Sequence, residues 1–226
     1  MSTVDATAGE SGRPATVPEE APAAPAVVGP MAGDPAMLGL AVFIAGSVAL
    51  GLAIVGVVPA GVLGAPLAII LSATALGLLL STIWAAAVGQ SAVAAVFGIF
   101  GTFWLSYAVL VLGLDHNWFA ITLTALLATV RLFLLSWLIV AFMLTLATLR
   151  LPAAFSVLFA LVTLALLLLL LAWEKTSPLG VPSSGLLKAG GWVVLVFAAV
   201  GVYLFFGAAQ AGTGGNALPL GRPLQH

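Results

Sequence analysis

Asp34-Pro35-Ala36-Met37-Leu38-Gly39-Leu40 is the seam of this sequence. Before it lies a polar leader rich in Pro, Ala and Glu; after it come long apolar runs with almost no charge. Asp followed by Pro reads as a helix start. A carboxylate accepts hydrogen bonds from the free N–H groups of a first turn, and Pro is pre-set for the first helical position. From Ala36 to Val58 no charged residue interrupts the chain. That meets the roughly 20 apolar residues a helix needs to cross about 30 Å of hydrocarbon. The seam therefore divides a solvated tail from a membrane domain.

The rest of the chain repeats the pattern. A second run spans Gly64 to Val88 and stops at Gly89-Gln90-Ser91. A third spans Ala92 to Leu114, broken by Asp115-His116-Asn117. A fourth begins between Phe119 and Arg131 and reaches Leu149, ahead of Arg150 and Pro152. A fifth spans Ala153 to Trp173, and after the loop Glu174 to Leu187 a sixth runs from Lys188 to Ala209. The runs are apolar on every side, whereas barrel strands alternate apolar and polar residues. Helices also satisfy their own backbone in lipid. The expected fold is all-α: a polytopic membrane protein of six transmembrane helices.

Composition agrees. Hydrophobic residues make up 63% and charged residues 6% of the chain, where a soluble domain carries about 25% charged. With a net charge of −1 nothing points to a nucleic-acid partner, and the lack of cysteine excludes disulfides and thiol chemistry. Residues 1–33 read as a disordered Pro/Ala-rich tail with no apolar run of signal-peptide kind. Residues 34–210 form the helical domain and 211–226 a flexible C-terminal tail. An even number of spans puts both termini on one side. Arg13, Arg150 and Arg222 on that side against Lys175 and Lys188 on the other do not fix which side it is.

Small residues suggest packing faces. Ala41, Ala45, Ala49 and Ala53 form one stripe, and Ala94, Gly98, Thr102 and Ser106 another. Such stripes let helix backbones approach, which makes helices one and three the expected centre. The leucine run from Leu166 to Leu171 reads as a lipid-facing surface on helix five. Trp104, Trp118, Trp173 and Trp192 read mostly as an interfacial aromatic belt.

Several motifs resemble those of the acetate uptake transporter family, which includes bacterial acetate/succinate permeases and fungal ammonia/acetate exporters. The seam is similar to that family's Asn-Pro-Ala-Pro-Leu-Gly-Leu. Phe97-Gly-Ile-Phe-Gly-Thr-Phe-Trp-Leu105 resembles its Phe-Thr-Ser-Tyr-Gly-Ser-Phe-Trp-Leu. Leu132-Phe-Leu-Leu-Ser-Trp137, Thr148-Leu-Arg150, Gly191-Trp192, Tyr203 and Leu218-Pro-Leu-Gly221 are further matches. The resemblance implies a hexamer of six-helix protomers in the plasma membrane, with cytoplasmic termini. Each protomer would carry a pore for small carboxylates, narrowed at Phe43, Phe100 and Val162. The departures run toward dryness. Asp34 and Met37 replace Asn and Pro, Phe100 replaces Tyr, and Gly98-Ile99 replaces Thr-Ser. Gly77-Leu78-Leu79 stands where a Gln is usual.

Candidate pore residues are thus Asp34, Pro35, Leu38, Gly39, Phe43, Phe100, Thr102, Ser106, Arg131, Val162 and Thr163. Each has two readings. Asp34 is a helix cap or a pore-mouth group. Arg131 either snorkels from the first turns of helix four or attracts anions at the mouth. The hydroxyls bond to their own helices or line the pore. His116, between Asp115 and Asn117, reads as a wet loop before a metal or pH-sensing group. Neither a catalytic constellation nor a cofactor or metal motif is legible, so the chain is not expected to be an enzyme. The expected function is transport of a small monocarboxylate such as acetate, or of succinate, with a proton. The alternatives are an ammonia-type conduit for a neutral solute and a non-transporting scaffold.

Overall fold

A computed structural model describes residues 32–59, 64–176 and 182–225. The leader before residue 32, the stop at Ala60-Gly61, part of the fifth loop and His226 lie outside the described residues. Within them, six helices are long and apolar enough to cross a membrane. They are α1 Pro35–Val55, α2 Gly64–Ala87, α3 Ser91–Asp115, α4 Leu123–Arg150, α5 Ala153–Glu174 and α6 Ser184–Gly212. The chain is an integral, multi-pass, all-helical membrane protein.

Local chemistry sets the boundaries. Asp34 caps α1 in an extended conformation, its Oδ1 accepting from the Ala36 N–H at 2.9 Å. Gly56, at φ +89°, ends the helix in the left-handed region, and the Val57 N–H returns to the Leu52 carbonyl. At about 1.5 Å per residue, α1 is about 31 Å long, one hydrocarbon thickness. α4 tightens into a narrow last turn at Thr148–Arg150 before Pro152 blocks continuation. α6 extends beyond the sequence expectation at both ends, because the small residues of Ser184–Gly185 and Ala211–Gly212 still satisfy helical geometry.

α2 contains a wide turn over Ile70–Ala75. Such a turn bulges the backbone and re-aims side chains. It brings the fully buried Thr74 onto α1, where its Oγ1 donates to the Val42 carbonyl at 3.0 Å.

The helices pack side by side in the order α3–α2–α1–α6–α5–α4. Aromatic side chains link the two ends of that order: Phe103 on α3 meets Trp137 on α4 at 5.3 Å and Phe133 at 6.0 Å. The α1–α6 seam is made by glycines rather than by the alanine stripe. A Cβ on Gly51 would meet Leu195 at 2.7 Å, and one on Gly191 would meet Ile54 at 2.8 Å. Of the two small-residue stripes, Ala45 and Thr102 are exposed, Ala41, Ala49 and Ala53 are half-buried, and Ala94 is buried, with Gly98 against Thr82 of α2. The expectation of a central α1 agrees with its place between α2 and α6, but the alanine stripe is not what makes that seam. Backbones approach closest where no Cβ stands at all, so glycine takes the inner seam. The expected outer face on α5 is present at Leu164, Leu167 and Leu171, which are exposed. α4 is the least buried span, while α5 wedges between α6 and α4 and buries Leu166.

Candidate functional site

A cavity of about 420 Å³ opens at the end of the bundle where α1 begins and α6 ends. α1 contributes Asp34, Ala36, Leu40 and Phe43; α3 contributes Val93, Val96, Phe97 and Phe100. α5 adds Phe155, Leu158 and Phe159, and α6 adds Leu204, Ala208 and Ala211. α2 adds Leu78, so the chamber runs down the inner faces of five helices. On α1, α3 and α5 the deepest lining residue is a phenylalanine. Phe43 meets Phe100 edge-on with centroids 5.2 Å apart, and Phe100 stacks on Phe159 at 5.7 Å. Phe197 of α6 backs Phe43 at 5.7 Å. This aromatic floor lies about 12 Å below the start of α1, at 1.5 Å per residue.

The floor is held from behind. The buried Ser47 donates to the Phe43 carbonyl at 2.7 Å, and Thr74 holds the preceding carbonyl. Both are hydroxyls whose burial requires a partner. Gly201 on α6 leaves room beside the Phe43 ring, which a Cβ would meet at 3.6 Å. Beneath Phe100 lies a void of only about 20 Å³, lined by Phe103, Trp137, Val162 and Leu166 among others. Phe100 borders both spaces.

The mouth is partly roofed by the C-terminal tail. Ala217, Leu218 and Leu220 line the chamber. The Tyr203 hydroxyl donates to the Pro219 carbonyl at 2.7 Å. The Ala154 N–H, in the first turn of α5, donates to the Leu220 carbonyl at 3.0 Å. Farther on, the Leu224 and Gln225 N–H groups both donate to the Leu149 carbonyl. Composition reads 211–226 as flexible, yet residues 217–225 are tied down, because backbone partners do not show in composition.

The candidate residues divide by place. Asp34, Phe43 and Phe100 line the chamber. Pro35 is buried at the first turn, and Gly39 is pressed against the Phe97 ring, so both shape the wall from behind. Leu38 is not among the lining residues, and Val162 borders the small void. Thr102 and Ser106 bond to carbonyls of their own helix, at Gly98 and Phe103 respectively. Thr163 shares a 2.8 Å hydrogen bond with Thr145 between α5 and α4. Arg131 lies at the far end of the bundle, ion-paired to Glu174 at 3.0 Å and donating to the Trp173 carbonyl at 3.1 Å. It is therefore not at the chamber mouth. The His116 ring nitrogen bonds the Leu112 carbonyl at 3.0 Å, in an exposed turn.

Sequence reasoning misses Phe159, Phe197, the tail and Trp104. Trp104 is no belt residue: it is 1% exposed, mid-helix, one turn beyond Phe100 on the buried face of α3. Its indole N–H has no hydrogen-bond partner among the described residues. The spacing Phe97, Phe100, Trp104 carries this signal in retrospect.

Fold and site together define a polytopic helical membrane protein with an internal apolar chamber closed partway by aromatic rings. The family model described as the GPR1/FUN34/yaaH family matches residues 19–216, and the chain belongs to that family. Among solved structures, that of the bacterial acetate channel SatP superposes with a TM-score of 0.71 at 21% identity, covering 84% of this chain and 99% of that one. A curated relative is the meiotically up-regulated gene 86 protein of Schizosaccharomyces pombe, 36% identical over 118 residues. That match covers 50% of this chain and 37% of the relative, so the chain spans little more than a third of that protein's length.

Proposed function

We propose that the protein passes small monocarboxylates such as acetate across the membrane, with the carboxyl group neutral when it crosses the aromatic floor. The observation that carries this reading is the chamber ending on Phe43, Phe100 and Phe159. Family membership, and a fold shared with a bacterial acetate channel, support it. A scaffold needs no chamber of this size. α1, α3 and α5 all start at the mouth, and the positive ends of their dipoles favour an approaching anion. Beyond the mouth no Lys or Arg lines the chamber among the described residues. A bare anion there would lose its hydration without compensation, so the acid takes up a proton on entering.

The test is labelled-acetate uptake into proteoliposomes under an acid-outside gradient. Uptake should exceed that of empty vesicles and fall sharply in Phe100→Trp, which thickens the floor. Uptake equal to that of empty vesicles would sink the reading. The apolar lining also favours an ammonia-type neutral conduit, which stopped-flow pH measurements on the same vesicles would reveal.

The same reading includes a homo-oligomer, the hexamer of the family resemblance, in the cell membrane with cytoplasmic termini. The exposed Ala45 within the small-residue stripe of α1 supports assembly through that face. Because the chain has no native cysteine, single introduced cysteines at Ala45 and Gly215 would report cross-linking and sidedness without background.

A further inference from the structure

We infer that the chamber is an alkyl-binding site, and that the preferred substrates are undissociated straight-chain alkanoic acids of about four to six carbons rather than acetate. The inference rests on the transport reading above and specifies its substrate class. Three observations carry it. The first is size: 420 Å³ lies within the range of about 300–1,000 Å³ typical of small-molecule sites, far more than one methyl group fills. The second is chemistry. From Leu40 down to Phe159 the walls are aliphatic and aromatic, and Asp34 at the rim is the only ionisable side chain among the described lining residues. The third is that rim. The Asp34 carboxylate already accepts from Ala36, and it repels a second carboxylate while leaving a neutral acid unaffected.

Nothing along these walls binds a carboxyl strongly, so affinity must come from the chain. Burying each added methylene tightens binding by about fourfold, until the chamber is full. Acetic acid, with one methyl, collects almost none of this gain. Dicarboxylates such as succinate place a second polar group against the walls and are disfavoured.

The experiment is labelled-acetate exchange at equal pH on both sides of proteoliposomes, so that lipid permeation of the longer acids collapses no gradient. Unlabelled straight-chain acids from propionic to octanoic compete. The half-inhibitory concentration of undissociated acid should fall about threefold to fourfold per methylene to hexanoic acid, then level off, with succinate inert. Ala208→Phe and Val93→Trp, which fill the chamber from opposite walls, should flatten the series. Equal inhibition by all chain lengths, or a series unaltered in both variants, would overturn the inference while leaving acetate transport standing. If no protein-dependent exchange occurs, the transport reading fails instead. Thermal unfolding in nanodiscs then decides for the chamber alone: a midpoint that climbs with chain length in the wild type supports an alkyl site, and a flat response refutes it. The same measurement without acid reports whether each variant folds.

Discussion

The two ends of the bundle are built differently. At the end where the chain enters and leaves the helices, α1, α3, α5 and α6 splay around a chamber of about 420 Å³. Beyond Phe100, α3, α4 and α5 leave only about 20 Å³. There Phe103, Phe133 and Trp137 interlock, Thr145 and Thr163 tie α4 to α5, and Arg131 pairs with Glu174. These polar groups are spent on other parts of the protein, whereas the indole N–H of Trp104 has no partner among the described residues. At the other end the walls are apolar and face an empty space. The contrast teaches that the aromatic floor is a divide between a vestibule and a closed half, and that opening the path requires moving side chains of α3, α4 and α5.

The largest effect is expected from removing the divide itself. Phe100→Ala should merge the two spaces and raise acetate flux at least about tenfold, equivalent to about 1.4 kcal/mol off the barrier. It should also cost about 3–5 kcal/mol of stability, because the ring is buried between Phe43 and Phe159. Tracer uptake and nanodisc unfolding read the two consequences separately. Faster flux with unaltered stability would mean that Phe100 is not packed as described; lost stability with unaltered flux would mean that the barrier lies elsewhere.

Removing 216–226 tests the roof rather than the floor. The deletion takes away Ala217, Leu218 and Leu220 and leaves the Tyr203 hydroxyl and the Ala154 N–H without their partners. It also removes the Leu224 and Gln225 N–H groups that donate to the Leu149 carbonyl, and the four lost hydrogen bonds together correspond to about 2–6 kcal/mol at most. Entry into the chamber should become faster while the floor still limits crossing. The half-saturating acetate concentration should therefore change more than the maximal rate.

Much of this contrast was legible beforehand, and the exceptions have physical reasons. Six spans, their stops and the Asp34 cap follow from apolar length and from single residues that break helices, which are local properties. Phe43 and Phe100 could be singled out by resemblance, but Phe159 and Phe197 could not. In a chain this apolar every helix is hydrophobic all round, so no periodicity separates the inner face from the lipid face. The same blindness applies to the alanine stripe, because small residues mark close approach without saying which helix they meet. The tail was read from composition, whereas its order comes from backbone hydrogen bonds to Leu149 and Ala154. The wide turn in α2 left no sequence mark that distinguishes it from ordinary helix.

That turn offers the next test. Thr74→Val keeps the shape of the side chain and removes its hydrogen bond to the Val42 carbonyl. Hydrogen bonds between membrane helices average about 0.6 kcal/mol and reach about 1.7, so the stability loss should fall in that range. If Thr74 positions Phe43, acetate uptake should drop by more than the folded fraction does, and Thr74→Ser should restore it. Ser47→Ala, which frees the Phe43 carbonyl next along α1, is the matching control on the same helix.

The smallest stability effects are expected at the two charged sites, and there the ends of the bundle should part company. The Arg131 and Glu174 side chains are 34% and 47% exposed, and such pairs contribute about 0–1 kcal/mol. Arg131→Met should therefore cost little and leave acetate competition at the mouth unchanged, since Arg131 faces away from the chamber. Asp34→Asn should cost even less, because Asn caps a helix as well as Asp does. Its effect belongs to selectivity. Removing the carboxylate from the rim lifts the repulsion of anions at a mouth where three helix N-termini already favour them, so inhibition by the acetate anion should strengthen while inhibition by undissociated acid stays the same. Competition measured at two pH values with equal undissociated acid isolates that term. An Asp34→Asn protein indistinguishable from wild type would reduce Asp34 to a helix cap and remove the mouth from the selectivity argument, leaving discrimination to the apolar walls and the aromatic floor.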